Sequence, residues 1–400
     1  MRILLSDGVG LTARQCATVL SLAGHEVEVL SADPLCLCRF TRRVRKVHRV
    51  PAIGADPGGW LDAAIEVAVR RRADVLLPVQ EQVAVMSLAR ERIAKAGLLT
   101  AVPDFAALAQ VQDKASAFRT LARLGLPQPA GAVVTSAPEL LAAGEPPLYA
   151  KAPIGTASAG VRYVSTPAEL RELAASWDWD TVGLLIQQPA GGPLAMIQSV
   201  FARGELIAFH ACTRVREGTG GGASHKLGIA LPAARESIAA LGAVLGWHGG
   251  LSADAIVTDS GPLLIDINPR LVEPVNALRS GVDLTAAMLQ VARSGHAPPQ
   301  PAGTPGARTH QLLLAVLGAA QHGGRRRDVI RALRDALTRA GDFRDSTEEL
   351  TPAWSLPVIA ATLATLVSPA AWRHFAGAPR AYSLTPVAWR ELLDRAEATG

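Results

Sequence analysis

The chain of 400 residues is short of cysteine, of aromatic side chains and of long apolar runs, and each shortage excludes something. Its four cysteines are Cys16, Cys36, Cys38 and Cys212. Cys36 and Cys38 are too close to bridge comfortably and lack a second pair for zinc. A disulfide framework and a structural zinc site are therefore set aside, and reduced thiols in a cytoplasmic protein are expected. Aromatic residues make up only 4% of the chain, and none interleaves the basic clusters Arg42 to Lys46, Arg70 to Arg72 and Arg325 to Arg327. Those clusters read as solvated faces, and no nucleic-acid partner is expected. The start, Met1-Arg-Ile-Leu-Leu-Ser-Asp7, meets an acid and then glycines too early for a secretory leader. One stretch, 350–372, carries no charge, but Pro352, Pro357 and Pro369 break it. The apolar core that remains is too short to span a bilayer, so a buried or interfacial helix is expected, with membrane contact the lesser alternative.

What is present describes a globular chain. Hydrophobic residues make up 49%, there are 36 glycines, and the net charge of +5 is modest over this length. The length exceeds what one ordinary core serves, so two or three subdomains are expected. Arg2 to Leu5, His25 to Leu30 and Val75 to Val79 read as buried strands, alternating with helices over Thr12 to Leu22 and Trp60 to Arg72. This predicts a Rossmann-like parallel sheet over residues 1–104. Strands at Val133-Val134, Leu148 to Lys151, Val161 to Val164, Leu184 to Gln187, Met196 to Phe201, Leu206 to Ala211, Ser252 to Val257 and Leu263 to Ile267 predict a mostly antiparallel unit over 105–295. Within it, 128–190 reads as a lid subdomain. A linker at 296–308, rich in proline and glycine, leads to a separate, mainly helical unit over 309–400, whose best helices are Gln311 to Ala320, Asp328 to Ala340 and Pro386 to Ala398. The fold class is therefore α/β with α+β and an added helical end.

The chemistry is concentrated in Asp254-Ala-Ile-Val-Thr-Asp-Ser-Gly-Pro-Leu-Leu-Ile-Asp266-Ile-Asn268-Pro269-Arg270. Two apolar runs flank a Gly-Pro turn, so Asp254 and Asp266 can project side by side from neighbouring strands. Alternation puts Asn268 on the same face as Asp266, giving three hard oxygen ligands with a guanidinium beyond. Asp266 lies among Leu263, Leu264, Ile265 and Ile267, where an unpaired carboxylate costs several kcal/mol, so a metal or cation should face it. Lys151 ends a strand before Gly155-Thr156-Ala157-Ser158-Ala-Gly160, a turn whose small residues can close over phosphates. No Gly-Lys-Ser or Gly-Lys-Thr follows, so this is not a Walker loop. Gly8-Val-Gly10-Leu-Thr-Ala13 fits a dinucleotide fingerprint with Asp33 as its ribose acid, but a lone fingerprint is weak and a nicotinamide cofactor ranks low. The stretch Gly218-Thr-Gly-Gly-Gly-Ala-Ser-His-Lys226 reads either as a mobile substrate loop or as a plain connector.

Four of these motifs, in this order, resemble the ATP-grasp superfamily over residues 1–295. Asp113-Lys114 with Gly125-Leu-Pro127-Gln-Pro129 resembles its first nucleotide lysine and following turn, and Lys151 with the glycine turn its second lysine and lid. Leu185-Ile-Gln187-Gln188-Pro-Ala190-Gly-Gly192 is similar to the adenine hinge, although Gln188 stands where an acid is common. Asp254 and Asp266 through Arg270 resemble the metal acids, with Asp266 in place of the usual glutamate. The resemblance implies ATP with two Mg2+ ions, Mn2+ being an alternative, bound by Asp254, Asp266 and Asn268. It implies a ligase that activates a small carboxylate or amino acid as an acyl phosphate and joins it to an amine. Arg270 is the first candidate to hold the acyl phosphate, with Arg214 and Arg216 next, and Glu273, Asn276 and Arg279 are candidates for the acceptor pocket. A bicarbonate-using carboxylase or carbamoyl-phosphate type of enzyme ranks lower, since no biotin-carrier or glutaminase motif accompanies it. A non-catalytic ATP-binding module is the alternative from another class. A homodimer is expected only because dimers are common.

Overall fold

In a computed structural model of the chain, residues 1–155, 160–179, 183–323, 325–350, 367 and 382–399 are described. Among them, the first sheet is parallel. Its strands β1 (Arg2–Leu5), β2 (Glu26–Ser31), β3 (Val47–Arg49) and β4 (Val75–Leu77) lie in the order β3-β2-β1-β4. Ile3 and Leu5 point into one core and Leu4 into another, so β1 is covered on both faces, as its unbroken apolar run requires. The order reverses between β1 and β4, which opens a crevice beyond their carboxyl ends, where ligands of open α/β sheets bind.

A second sheet is small and antiparallel, with β5 (Gly131–Val134), β6 (Leu148–Lys151), β7 (Val161–Val164) and β8 (Leu184–Gln187) in the order β5-β8-β6-β7. The helices Ala137–Ala143 and Pro167–Ser176 cover it, and Leu140, Leu148, Leu170 and Ile186 make a core of its own. Both helices begin in the way their sequences signal: Ser136 and Thr166 accept the N–H of Glu139 and Glu169, and each glutamate reaches back to the residue before the cap.

The third sheet carries the long strands: β9 (Leu194–Ala202), β10 (Glu205–Glu217), β11 (Ala223–Ile229), β12 (Gly249–Thr258) and β13 (Gly261–Asn268). Two short strands, β14 (Arg308–His310) and β15 (Thr347–Glu348), extend it to the order β13-β12-β9-β10-β11-β14-β15. One expectation is corrected here. The stretch Gly218 to Lys226 is a tight turn over Thr219–Gly221 followed directly by β11, because Ala223, His225 and Leu227 alternate with Ser224 and Lys226 as a strand requires. The C-terminal segment is mainly helical, as expected, and also packs against the rest of the chain. It supplies β14 and β15 to the sheet, and beside its last helix, Pro386–Thr399, Leu384, Trp389 and Leu392 enter the core that holds Trp60 and Trp247.

Helices do occur there, at Leu312–Gly323 and Arg326–Thr338. The apolar stretch 351–366 lies outside the described residues, and among those described no helix is long and apolar enough to cross a membrane. All four cysteines are buried and unbridged.

Candidate active site

Strand pairing builds the site. Asp254 stands directly opposite Asp266 across β12 and β13, and Ser252 opposite Asn268. Residues opposed in an antiparallel ladder share a face, so both aspartates and Asn268 point to one side of the sheet. The same row continues through Met196 on β9 and Cys212 on β10, and two residues further along Arg214 on β10 opposes Lys226 on β11. Ser252, Asp254, Asp266, Asn268, Arg214 and Lys226, from four strands, therefore face one way.

Two lysines close over the carboxylates. Asp113 caps the helix Lys114–Arg123, accepting the N–H of Ser116 at 2.8 Å, and this fixes Lys114 at the first turn. Its Nζ lies 3.3 Å from Asp266 and 3.4 Å from the Gly155 carbonyl. Lys151, at the end of β6, donates to the Ile265 carbonyl at 2.9 Å, which ties the small sheet to β13. Gly155 and Gly160 bracket the glycine turn. Gly160 has φ +81°, where a side chain is strained, and a Cβ there would meet that of Ala152 at 2.7 Å. Thr156, Ala157 and Ser158 lie outside the described residues.

Charge in this cluster is poised. Burial, and then repulsion from Asp266, push Asp254 up to about 7. Burial pulls Lys151 down to about 8, although Asp266 and Asp254 favour its charge. Among the described residues no group of three or more His, Cys, Asp or Glu is placed to hold a metal, since the set here is two carboxylates and an amide. Hard oxygen donors with two carboxylates facing each other fit a divalent cation of the magnesium type. A pH dependence follows. Metal-nucleotide affinity is expected to rise through pH 7 as Asp254 loses its proton, and to fall above pH 8 as Lys151 loses its own, by up to about tenfold per unit on each limb. Calorimetric titration with Mg-ADP between pH 6 and 9 checks this, and a flat profile would mean that neither group meets the ligand.

Arg270 follows Pro269 into the loop beyond β13. Its backbone N–H donates to the Asn268 carbonyl at 2.7 Å, its carbonyl accepts from Ser252 Oγ at 2.6 Å, and its guanidinium lies 3.5 Å from Asn268 Oδ1. The other two arginines are not brought beside it. Arg214 shares the face but is held by the Gly221 carbonyl at 2.7 Å and by Glu217 at 3.1 Å. A register shift between Arg214 and Arg216 puts Arg216 opposite His225, on the face away from Lys226, where it pairs with Asp342 at 3.7 Å. Of the hinge residues, Gln187 is buried at the end of β8, while Gln188 is exposed, donating from Nε2 to the Glu145 carbonyl at 3.3 Å, and Ala190 follows in the irregular segment. Arg279 is exposed, and Asn276 is committed to His210 and Thr309 at 2.8 and 2.7 Å. Burial holds His210 at about 4, and burial with His310 nearby holds His225 at about 3, so these two stay neutral.

A second cluster was not legible in the sequence. Lys226 is buried between Glu273 and Glu349, the latter at 2.9 Å. Burial opposes its charge, yet the two carboxylates outweigh this and hold Lys226 above the usual lysine range. Glu349 is fully buried and also accepts from Gln15, Gln311 and Thr309, at 2.7, 2.7 and 2.6 Å. Glu273 has φ +29°, an uncommon backbone for a non-glycine residue, held by Gln198 Nε2 donating to its carbonyl and by Thr12 Oγ1 accepting its N–H. Tyr382, from the C-terminal segment, stands within electrostatic reach of Arg270, Asp7, Glu81 and Glu273. Replacing Glu349 with glutamine should cost about 1–2 kcal/mol, because one side of a buried ammonium loses its charged acceptor. Urea unfolding measures it, and an unchanged midpoint would show the network to be dispensable.

The fingerprint turn after β1 is closed by its own aspartate. The N–H groups of Val9 and Gly10 donate to Asp7 Oδ2 at 2.9 and 3.0 Å, so two amides that would cradle a pyrophosphate are already engaged.

No family model matches the chain, and no curated relative matches it by sequence. Solved structures do match in fold. A biotin carboxylase from Campylobacter jejuni aligns with a TM-score of 0.59 at 19% identity, over 75% of this chain and 72% of that one. An N5-carboxyaminoimidazole synthetase from Staphylococcus aureus aligns with 0.60 at 15%, over 81% and 86%. An L-amino acid ligase from Bacillus licheniformis aligns with 0.56 at 16%, over 73% and 74%. The chain therefore has the ATP-grasp fold that its motifs resemble.

Proposed function

We propose that the chain is an ATP-dependent ligase that phosphorylates a carboxylate-type oxygen and passes the acyl group to a nitrogen nucleophile, releasing ADP and phosphate. The observation that carries this reading is the convergence of Lys114 and Lys151 on the Asp254–Asp266 pair. Asp254, Asp266 and Asn268 would hold one or two Mg2+ ions, which when bound offset the charge of the ATP phosphates. Lys114 and Lys151 would meet the remaining phosphate oxygens, and Gln187 to Ala190 would border the adenine. Arg270, beside Asn268, would hold the acceptor oxygen by paired N–H donors. The small sheet has its own core, so it can move as a body and exclude water over the reacting groups.

Two classes of activated oxygen remain in contention, and the fold comparisons favour bicarbonate. Carboxylases and N5-carboxyaminoimidazole ribonucleotide synthetases outnumber the amino acid ligase among the similar structures. The expected small acid or amino acid has the weaker support, from that one ligase. The unbridged, buried cysteines support a reducing, cytoplasmic setting.

The test is ADP release from Mg-ATP in three arms: bicarbonate alone, bicarbonate with pools of amines, and amino acids with small acids in bicarbonate-free buffer. Stimulation in a bicarbonate arm assigns the carboxylase reading, and stimulation in the third arm alone assigns the amino acid ligase reading. If Mg-ADP binds and no arm stimulates release, the chain is a nucleotide-binding module and the ligase reading falls.

A further inference from the structure

Two basic clusters that the sequence separates by about thirty residues meet in space. Arg42, Arg43 and Arg45 precede β3, Arg72 ends the helix Pro57–Arg71, and Arg2 begins β1; together they line a cavity of about 680 Å³ at the amino end of the parallel sheet. Two carboxylates line it too, Glu26 and Asp74, and they are engaged within the wall. Glu26 meets Arg45 at 3.6 Å and Arg2 at 3.9 Å, and Asp74 accepts the Arg2 backbone N–H at 2.8 Å. Arg42, Arg43 and Arg72 have no carboxylate partner among the described residues.

We propose that this cavity is a second ligand site, specific for a small anion carrying two or more phosphate groups. Guanidinium groups pair with phosphate oxygens through two parallel N–H bonds, so three unpaired arginines suit a ligand with several such oxygens. The helices Leu11–Leu22 and Pro57–Arg71 end at the cavity wall, and a single basic residue near each would suffice to complement its carbonyl end. Five arginines exceed that need. The volume falls in the range of small-ligand sites. Its walls carry no Phe, Tyr or Trp on which bases could stack, which argues against single-stranded nucleic acid, and a concave wall does not suit a flat bilayer. The site is also remote from the candidate active site. Thr12, in the first turn of the helix Leu11–Leu22, accepts the N–H of Glu273, three residues past Arg270, at 3.3 Å, whereas the other end of the helix lies beside the cavity, about 18 Å away by its rise per residue. The ligand is therefore an effector and not a second substrate.

Calorimetric titration of the full chain with inorganic tripolyphosphate tests this, using three proteins. The wild type should bind at the cavity, the triple variant Arg42→Ser, Arg43→Ser, Arg72→Ser should bind there at least tenfold more weakly, and Lys114→Ala with Lys151→Ala should retain the cavity site. Because the three arginines lie at the surface, thermal melting should show that the triple variant stays folded. Undiminished binding by the triple variant, or loss confined to the lysine variant, would overturn the proposal. So would a single-stranded oligonucleotide that displaces tripolyphosphate from the wild type and binds it more tightly, since the surface would then be one for nucleic acid.

Discussion

Changing Lys151 to alanine is expected to lower ATP turnover by at least about a hundredfold while leaving the chain folded. Lys151 is nearly inaccessible, its charge is disfavoured by burial, and among the described residues its side chain donates to the Ile265 carbonyl. Such a lysine is a poor device for stability alone. A methionine of similar length would fill the same space without a desolvated charge. Retaining it makes sense if phosphate oxygens complete its bonding, and removing it then loses a cation at the point where charge is transferred. The measurement is steady-state ADP release with whichever arm proves active, alongside urea unfolding. Turnover within a few-fold of the wild type would show that the lysine belongs to the inter-sheet contact and not to the reaction.

Changing Asp254 to asparagine should do two opposite things: abolish metal-dependent turnover and stabilise the metal-free protein. The folded chain raises the Asp254 carboxyl to about 7, above its unfolded value near 3.8, so folding is penalised wherever the group is ionised. That penalty is full above pH 7 and is relieved as pH falls towards 4. Because Asp254 is partly accessible, solvent screens the penalty, which amounts to roughly 2–3 kcal/mol at pH 8. The variant should therefore unfold at higher denaturant than the wild type at pH 8 without metal, with the gap closing at pH 5. Adding Mg2+ should stabilise only the wild type. A variant that is less stable at pH 8 would show that the carboxylates are satisfied within the protein and await no cation.

Much of this was legible because the signals were local. Asp254 and Asp266 are twelve residues apart across one turn, so hairpin geometry alone brings them opposite. Lys114 was marked by its capping aspartate and Lys151 by the turn after it. What escaped was whatever depends on distant pairing. Lys226 stands among glycines that suggest a loop, and only the alternation of Ala223, His225 and Leu227 betrays the strand. Arg216 was misplaced by one register shift, which no local pattern announces. Glu349 carries no sequence signal, because its meaning comes from partners at 15, 226, 309 and 311. Long-range packing likewise joins the mainly helical end to the central sheet through β14 and β15 and to its core through the last helix.

The central claim is that the oxygens of Asp254, Asp266 and Asn268 hold the metal of a bound nucleotide. A crystal structure of the chain grown with ADP and Mn2+, using manganese anomalous scattering, tests it most directly. One or two anomalous peaks are expected at about 2.2 Å from those oxygens, with the diphosphate between Lys114 and Lys151. Nucleotide bound with no manganese at the aspartate pair, or bound instead at the Gly8 to Gly10 turn, would contradict it.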